Sequence, residues 1–141
     1  MGGLAAVLAT LAVATAAGLW LQRSGRRLGR QRTPAGAPGE RLVEADLGGP
    51  LGERATLVQF SSAFCAPCRT TRVVLRDVSR LVDGVTYVEV DAESNLDLVR
   101  RLDVRRTPTV LVLDASGAVV RRASGAPRKA DVLAALGAAV A

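Results

Sequence analysis

Phe60-Ser61-Ser62-Ala63-Phe64-Cys65-Ala66-Pro67-Cys68-Arg69 holds both cysteines of the 141-residue chain, spaced C-x-x-C. Ahead of the cysteines lies Ala55-Thr56-Leu57-Val58-Gln59-Phe60, an apolar run short and β-branched enough for a buried strand. Behind them a helical pattern runs over residues 69–82. The pair therefore falls where a strand hands over to a helix. The first turn of a helix presents unpaired N–H groups and the positive end of the macrodipole, and both favour a thiolate. Cys65 gains most, and Cys68, at i+3 on the same side, is close enough to attack a disulfide formed at Cys65. Pro67 suits the first turn, because the N–H it lacks would be unpaired there anyway. The stretch reads as a redox site.

Toward the carboxyl terminus, Val73, Val74, Val78, Leu81 and Val82 form a helical stripe predicted to face a sheet, and Asp83-Gly84 closes that helix. Residues 85–91 predict a strand, and residues 92–102 a short amphipathic helix capped by Ser94 or Asn95. Residues 109–113 form a continuous apolar run, as in a central strand covered on both faces. Asp114-Ala115-Ser116-Gly117 is a turn, residues 118–123 pair back as a hairpin, and residues 128–140 form a helix with one apolar face. Toward the amino terminus, residues 41–44 predict a short edge strand, and residues 46–52 a turn-rich connection with room for one helical turn. Strand, helix, strand, helix, hairpin and helix make an α/β sandwich of about 100 residues.

The rest of the chain precedes this domain. Residues 3–21 carry no charge, and nineteen helical residues reach roughly 28 Å, enough to span a hydrocarbon core. A cleavable secretory signal is the competing reading, but it wants a basic n-region, and only the α-amino group precedes the run. A buried core helix fits less well, since the run is apolar on every face and a basic patch follows at once. Arg23, Arg26, Arg27, Arg30 and Arg32 give the first 33 residues +5 of the chain's +6 net charge, leaving the downstream domain near neutral. Such a distribution speaks for anionic lipid and against a nucleic-acid partner. The expected organisation is a single-pass anchor at residues 1–22, a basic segment with a Pro/Gly linker at 23–39, and a folded domain at 40–141. By the positive-inside rule that domain faces the cytoplasm, with an extracytoplasmic placement as the alternative.

Two cysteines and no histidine cannot supply four zinc ligands within one chain, so no metal is expected, and only a zinc shared across a dimer would escape that count. A purely structural role for the disulfide is a poor fit, because so short a loop restrains the unfolded chain little. Catalytic redox use remains. Thr107-Pro108 is another candidate, either a cis bond kept for a purpose or a trans proline that starts a strand.

Three separated features, Cys65-Ala66-Pro67-Cys68 after a strand, Thr107-Pro108-Thr109 before the apolar strand and Gly125 before the last helix, give a resemblance. From residue 41 onward the chain resembles the thioredoxin family, and the turn-rich residues 45–54 are similar to its membrane-anchored, TlpA-like members. Cys68 and Pro108 lie 40 positions apart, too few for the insertion that TlpA-like proteins usually carry. The resemblance implies a thioredoxin fold, with a central mixed β-sheet flanked by helices. It also implies a cis Thr107-Pro108 bond at which an extended substrate pairs with the Thr107 backbone, with Phe64 and Gly125 completing the substrate-binding surface. The implied activity is protein disulfide reduction: Cys65, its pKa depressed to ~7, attacks, and Cys68 resolves. Ala66 and Pro67 look like the intervening pair of reducing members, for which the potential is about −270 mV. No cofactor is implied; the expected partners are protein disulfides and a reductase or membrane electron donor.

Departures from the pattern matter. Gln59 stands where the family usually has a buried acid and cannot act as a base, so the proton of Cys68 is expected to travel through water or Glu89. Phe64 and Ser61 replace aromatic residues, and Val73 replaces a proline that kinks the helix, so a straighter helix is expected. Arg69, Arg72, Arg105 and Arg106 either raise the potential around the thiolate or form a solvated face. The rival functions are a non-catalytic interaction module on the same fold and an extracytoplasmic thiol reductant in cytochrome maturation.

Overall fold

The computed structural model describes Gly3, Val7, residues 9–16 and residues 40–141. The chain divides into two units, Met1–Arg32 and Thr33–Ala141. In the first, residues 9–16 are helical and exposed, and the Thr15 hydroxyl donates back to the Leu11 carbonyl at 2.7 Å. Nine of the nineteen residues of the predicted span at 3–21 lie outside the described residues, and the basic segment and linker at 23–39 lie wholly outside them. Among the described residues no helix is long and apolar enough to cross a membrane.

The second unit runs α1 (Glu44–Leu47), β1 (Ala55–Ser61), α2 (Ala66–Leu81), β2 (Val85–Asp91), α3 (Leu96–Arg101), β3 (Thr109–Asp114), β4 (Val119–Ser124) and α4 (Lys129–Ala139). The four strands form one mixed sheet in the order β2-β1-β3-β4. β1 pairs parallel with β2 and antiparallel with β3, and β3 pairs antiparallel with β4. β1 is buried at all seven positions because helices cover both sides of it.

Side-chain alternation divides the core between the two faces. Val58, Phe60, Val88, Val90, Leu111 and Leu113 pack with Leu47, Leu98 and Leu102 from α1, α3 and the residue after α3. Ala55, Leu57, Val110 and Val112 pack with Leu75 and Val78 of α2 and Val132 and Leu136 of α4. The same alternation puts Gln59 on the α2 side of β1. The parallel register, Gln59 beside Glu89 and Leu57 beside Tyr87, brings Tyr87 and Glu89 to that side as well.

Several expectations change. Residues 41–44 are not a strand: Arg41 makes an isolated bridge with Ala118, and the chain then turns into α1. Leu42 explains this path, for it is fully buried and its N–H donates to the Gly117 carbonyl at 2.9 Å. On α2 the buried residues are Cys68, Thr71, Leu75 and Val78, while Val73 and Leu81 point to solvent. The helix over 92–102 shortens to Leu96–Arg101. Asp91 accepts from the Glu93 N–H at 3.1 Å and the Ser94 hydroxyl at 2.5 Å, and these local bonds compete with an earlier helix start. Asn95 occupies the cap position, but its side chain caps nothing and donates to the Asp91 carbonyl instead.

Candidate active site

The two parallel strands and the start of α2 put the cysteines at the carboxyl end of β1. Cys65 is the N-cap of α2, in an extended conformation, and Pro67 lies in the first helical turn as expected. The sulfurs are joined in a disulfide with S–S 2.05 Å and Cα–Cα 5.3 Å. Cys65 is half-buried and Cys68 only 1% exposed, so the two have different access to a substrate. The Cys68 N–H points at the Cys65 sulfur at 3.2 Å, the arrangement that favours a thiolate there once the bond is reduced.

Thr107-Pro108 is cis. β1–β3 pairing sets Thr109 opposite Phe60, which delivers this loop to the strand end that carries the cysteines. The Ser62 and Thr107 hydroxyls lie 2.9 Å apart and tie the approach to Cys65 to the loop. On the far side the Gly125 N–H donates to the Pro108 carbonyl at 2.7 Å, and Gly125 has φ +97°, a conformation an L side chain rarely adopts. Phe64 is fully exposed immediately before Cys65, and Ala66 is exposed after it.

Gln59 is fully buried with every polar atom of its amide engaged. Its Nε2 donates to the Cys68 carbonyl at 2.9 Å and to Ser61 Oγ at 3.0 Å, while Oε1 accepts from the Tyr87 hydroxyl at 3.0 Å. Tyr87 also reaches Glu89 Oε2 at 2.9 Å, so one hydroxyl proton faces two acceptors. Burial pushes the Tyr87 phenol up, and the bond to Glu89 adds to the shift. Glu89 is held in a two-pronged ion pair by Arg72, with Nε to Oε2 at 2.6 Å and a second contact at 2.5 Å. That hydrogen bond holds the Glu89 carboxyl below the ordinary carboxylate range against an opposing desolvation effect. A carboxylate so stabilised is a poor acceptor for a thiol proton, which leaves water as the better of the two routes expected for Cys68. A cleft of about 430 Å³ lined by Ser61, Ser62, Ala63, Arg72 and Glu89 opens beside the carboxylate, and Cys68 itself does not line it.

The four arginines do not act as one collar. Arg72 is committed to Glu89 and Arg105 to Asp103 at 2.9 Å, while Arg69 and Arg106 are exposed. Among the described residues no group of three potential metal ligands occurs. The Ser62–Thr107 contact and the bond between Gln59 and Tyr87 are not foreseen in the sequence. Strand alternation from Ala55 and Val85 carried the signal for the second.

A family model described as Thioredoxin matches residues 50–138. Thioredoxin C-2 of Corynebacterium nephridii is 32% identical over 77 residues, which cover 54% of this chain and 71% of that protein. Thioredoxin domain-containing protein 8 of Mus musculus is 33% identical over 58 residues, covering 41% of this chain and 46% of that one. Against several such curated relatives the chain spans less than half their length. Among solved structures, Fasciola hepatica thioredoxin superposes with TM-score 0.55 at 23% identity, covering 62% of this chain and 83% of its own. That likeness speaks to the fold.

Proposed function

The chain belongs to the thioredoxin family, and from that premise we propose that it is a thiol–disulfide oxidoreductase that reduces protein disulfides. The observation that carries this reading is the Cys65–Cys68 disulfide at the start of α2, beside the cis Thr107-Pro108 loop. In the reduced protein the Cys65 thiolate attacks one sulfur of a substrate disulfide, breaking that bond and releasing the first substrate thiolate. Cys68, giving its proton to water, then attacks the Cys65 sulfur and releases the second. Two electrons pass to the substrate, each released thiolate takes a proton, and the Cys65–Cys68 bond re-forms. A reductase or a membrane electron donor must then reduce the pair. Thr107, Phe64 and Gly125, with the buried Pro108 beneath them, form the face against which a substrate segment lies.

The direction of electron flow is read from Ala66-Pro67, and a potential for the pair above about −180 mV would reverse it. Anchoring rests on the uncharged residues 3–21 and the five arginines after them, and a TlpA-like kinship on residues 45–54 alone. The test is reduction of insulin disulfides by the full chain in detergent micelles with dithiothreitol as electron source. Acceleration over dithiothreitol alone is expected; its absence would favour a non-catalytic interaction module.

A further inference from the structure

We propose that Gln59 is a positioning residue for the redox couple: it holds the Cys68 carbonyl, and through it the first turn of α2, so that the Cys68 N–H, on the preceding peptide, stays aimed at the Cys65 sulfur. The backbone of Cys68 is held at both ends. Its N–H is shared between Cys65 Sγ and the Cys65 carbonyl oxygen, each at 3.2 Å, and its carbonyl accepts from Gln59 Nε2 at 2.9 Å. The Cys68 carbonyl, which can only accept, sets the orientation of the amide, and two hydroxyls complete its bonds. Ser61 Oγ and the Cys68 carbonyl take its two protons, and the Tyr87 hydroxyl fills its acceptor. In the flipped orientation an acceptor oxygen would face the Cys68 carbonyl, so the network admits one arrangement.

The residue type matters. Gln59 is fully buried on the α2-facing side of β1, and a carboxylate there could donate to neither Ser61 nor Cys68. An apolar side chain of similar length would fill the volume and leave the Cys68 carbonyl without its side-chain donor. The amide does what neither can, anchoring the first turn of α2 to the central strand without adding charge beside the sulfurs. An N–H fixed on Cys65 Sγ stabilises the thiolate over the thiol, so Gln59 acts on Cys65 through Cys68.

The inference rests on the oxidoreductase reading, but its test needs no turnover. The Cys65 pKa in the reduced full chain is measured from the pH dependence of alkylation by iodoacetamide, in the wild type, Gln59→Leu and Ser61→Ala. Gln59→Leu is expected to raise that pKa by about one unit, a roughly tenfold loss of thiolate well below the pKa. Ser61→Ala keeps the bond to Cys68 and should stay close to wild type. An unchanged pKa in folded Gln59→Leu, or an equal rise in Ser61→Ala, would overturn the proposal. Should Gln59→Leu fail to fold, the wild type still decides. The Gln59 side-chain amide protons, followed by nitrogen-15 NMR, should exchange with solvent far more slowly than those of a free glutamine, and fast exchange would overturn the pinning. Loss of insulin reduction with the pKa pattern intact would count against the oxidoreductase reading alone.

Discussion

Cys65 and Cys68 lie one helical turn apart yet meet solvent differently, the first half-buried and the second 1% exposed. That asymmetry assigns the order of events, because a protein disulfide can reach only the sulfur that the surface offers. Cys65→Ser should therefore reduce insulin turnover to the uncatalysed background, since the buried thiol cannot take over the attack. Cys68→Ser should retain the attack and lose the resolution, so mixed disulfides through Cys65 accumulate and appear as substrate-linked bands on non-reducing gels. Equal trapping by the two variants would refute the order. The cysteine pair and Pro67 are legible in the sequence because the chain's two cysteines stand at a fixed offset around a proline. The cis Thr107-Pro108 bond followed instead from the family resemblance, since the pattern alone leaves cis and trans open. Gln59 was legible only as a non-base. Alternation from Ala55 and Val85 assigns Gln59 and Tyr87 each to a face, but the bond between them also needs β2 beside β1 in the observed register, and no local spacing carries that.

Among the elements, α2 carries the cysteines and must hold them against the sheet, and Leu75 and Val78, both fully buried, do much of that work. Leu75→Ala should destabilise the domain by about 2–5 kcal/mol, the range for a fully buried leucine whose site does not collapse. Val73→Ala, on the exposed side, should stay within about 0.5 kcal/mol. Urea unfolding of the two variants checks both, and a comparable loss in each would mean that the buried face of α2 is misassigned. The stripe predicted from the valines is rotated from the real one, Cys68, Thr71, Leu75 and Val78, because it follows the valines past Leu75 and an apolar pattern does not count Thr71. The strands were read closely because β-branched runs bounded by Gly84 and by the Asp114–Gly117 turn leave little freedom. Residues 41–44 were misread for a tertiary reason. Gly117, at φ +81°, approaches so closely that a Cβ there would sit 2.1 Å from the Leu42 carbonyl oxygen. Only a glycine lets residues 41 and 42 reach the hairpin, and their conformation is set by that distant contact. Gly117→Ala should cost at least about 1–2 kcal/mol from the backbone conformation alone, with the clash adding to it, and the same urea titration measures it.

At the scale of the whole molecule, charge bears on acid stability and on the placement proposed for the chain. The carboxyl groups of Glu89, Asp46 and Asp114 are held below their ordinary values, chiefly by hydrogen bonds from Arg72, Arg101 and Ser116 respectively. A folded-state pKa below the unfolded one contributes stability that is complete above the ordinary values, 4.5 for Glu89 and 3.8 for the aspartates. That contribution is lost as the pH falls through the lower folded values, so Tm should hold from pH 7 to about 5 and fall below about 4.5. Glu89→Gln should show a shallower fall, and an identical acid limb would remove Glu89 from the account. The proposed placement rests on the other charges, the five arginines between residues 23 and 32. Each basic side chain near an anionic leaflet is worth about 1 kcal/mol, and a cluster of them directly after an apolar run retains that end of the run on the cytoplasmic side. Cys65 and Cys68, the chain's two cysteines, then report the side of the membrane without any added label site. Intact cells reduced with a permeant phosphine and treated first with an impermeant maleimide should leave Cys65 unmodified, and a permeant maleimide added next should modify it. Modification by the impermeant reagent would place the domain outside the cytoplasm and require its electrons to cross the bilayer. Modification by neither reagent would show that Cys65 is closed to small electrophiles in the cell, and the attack assigned to it would fall with that result.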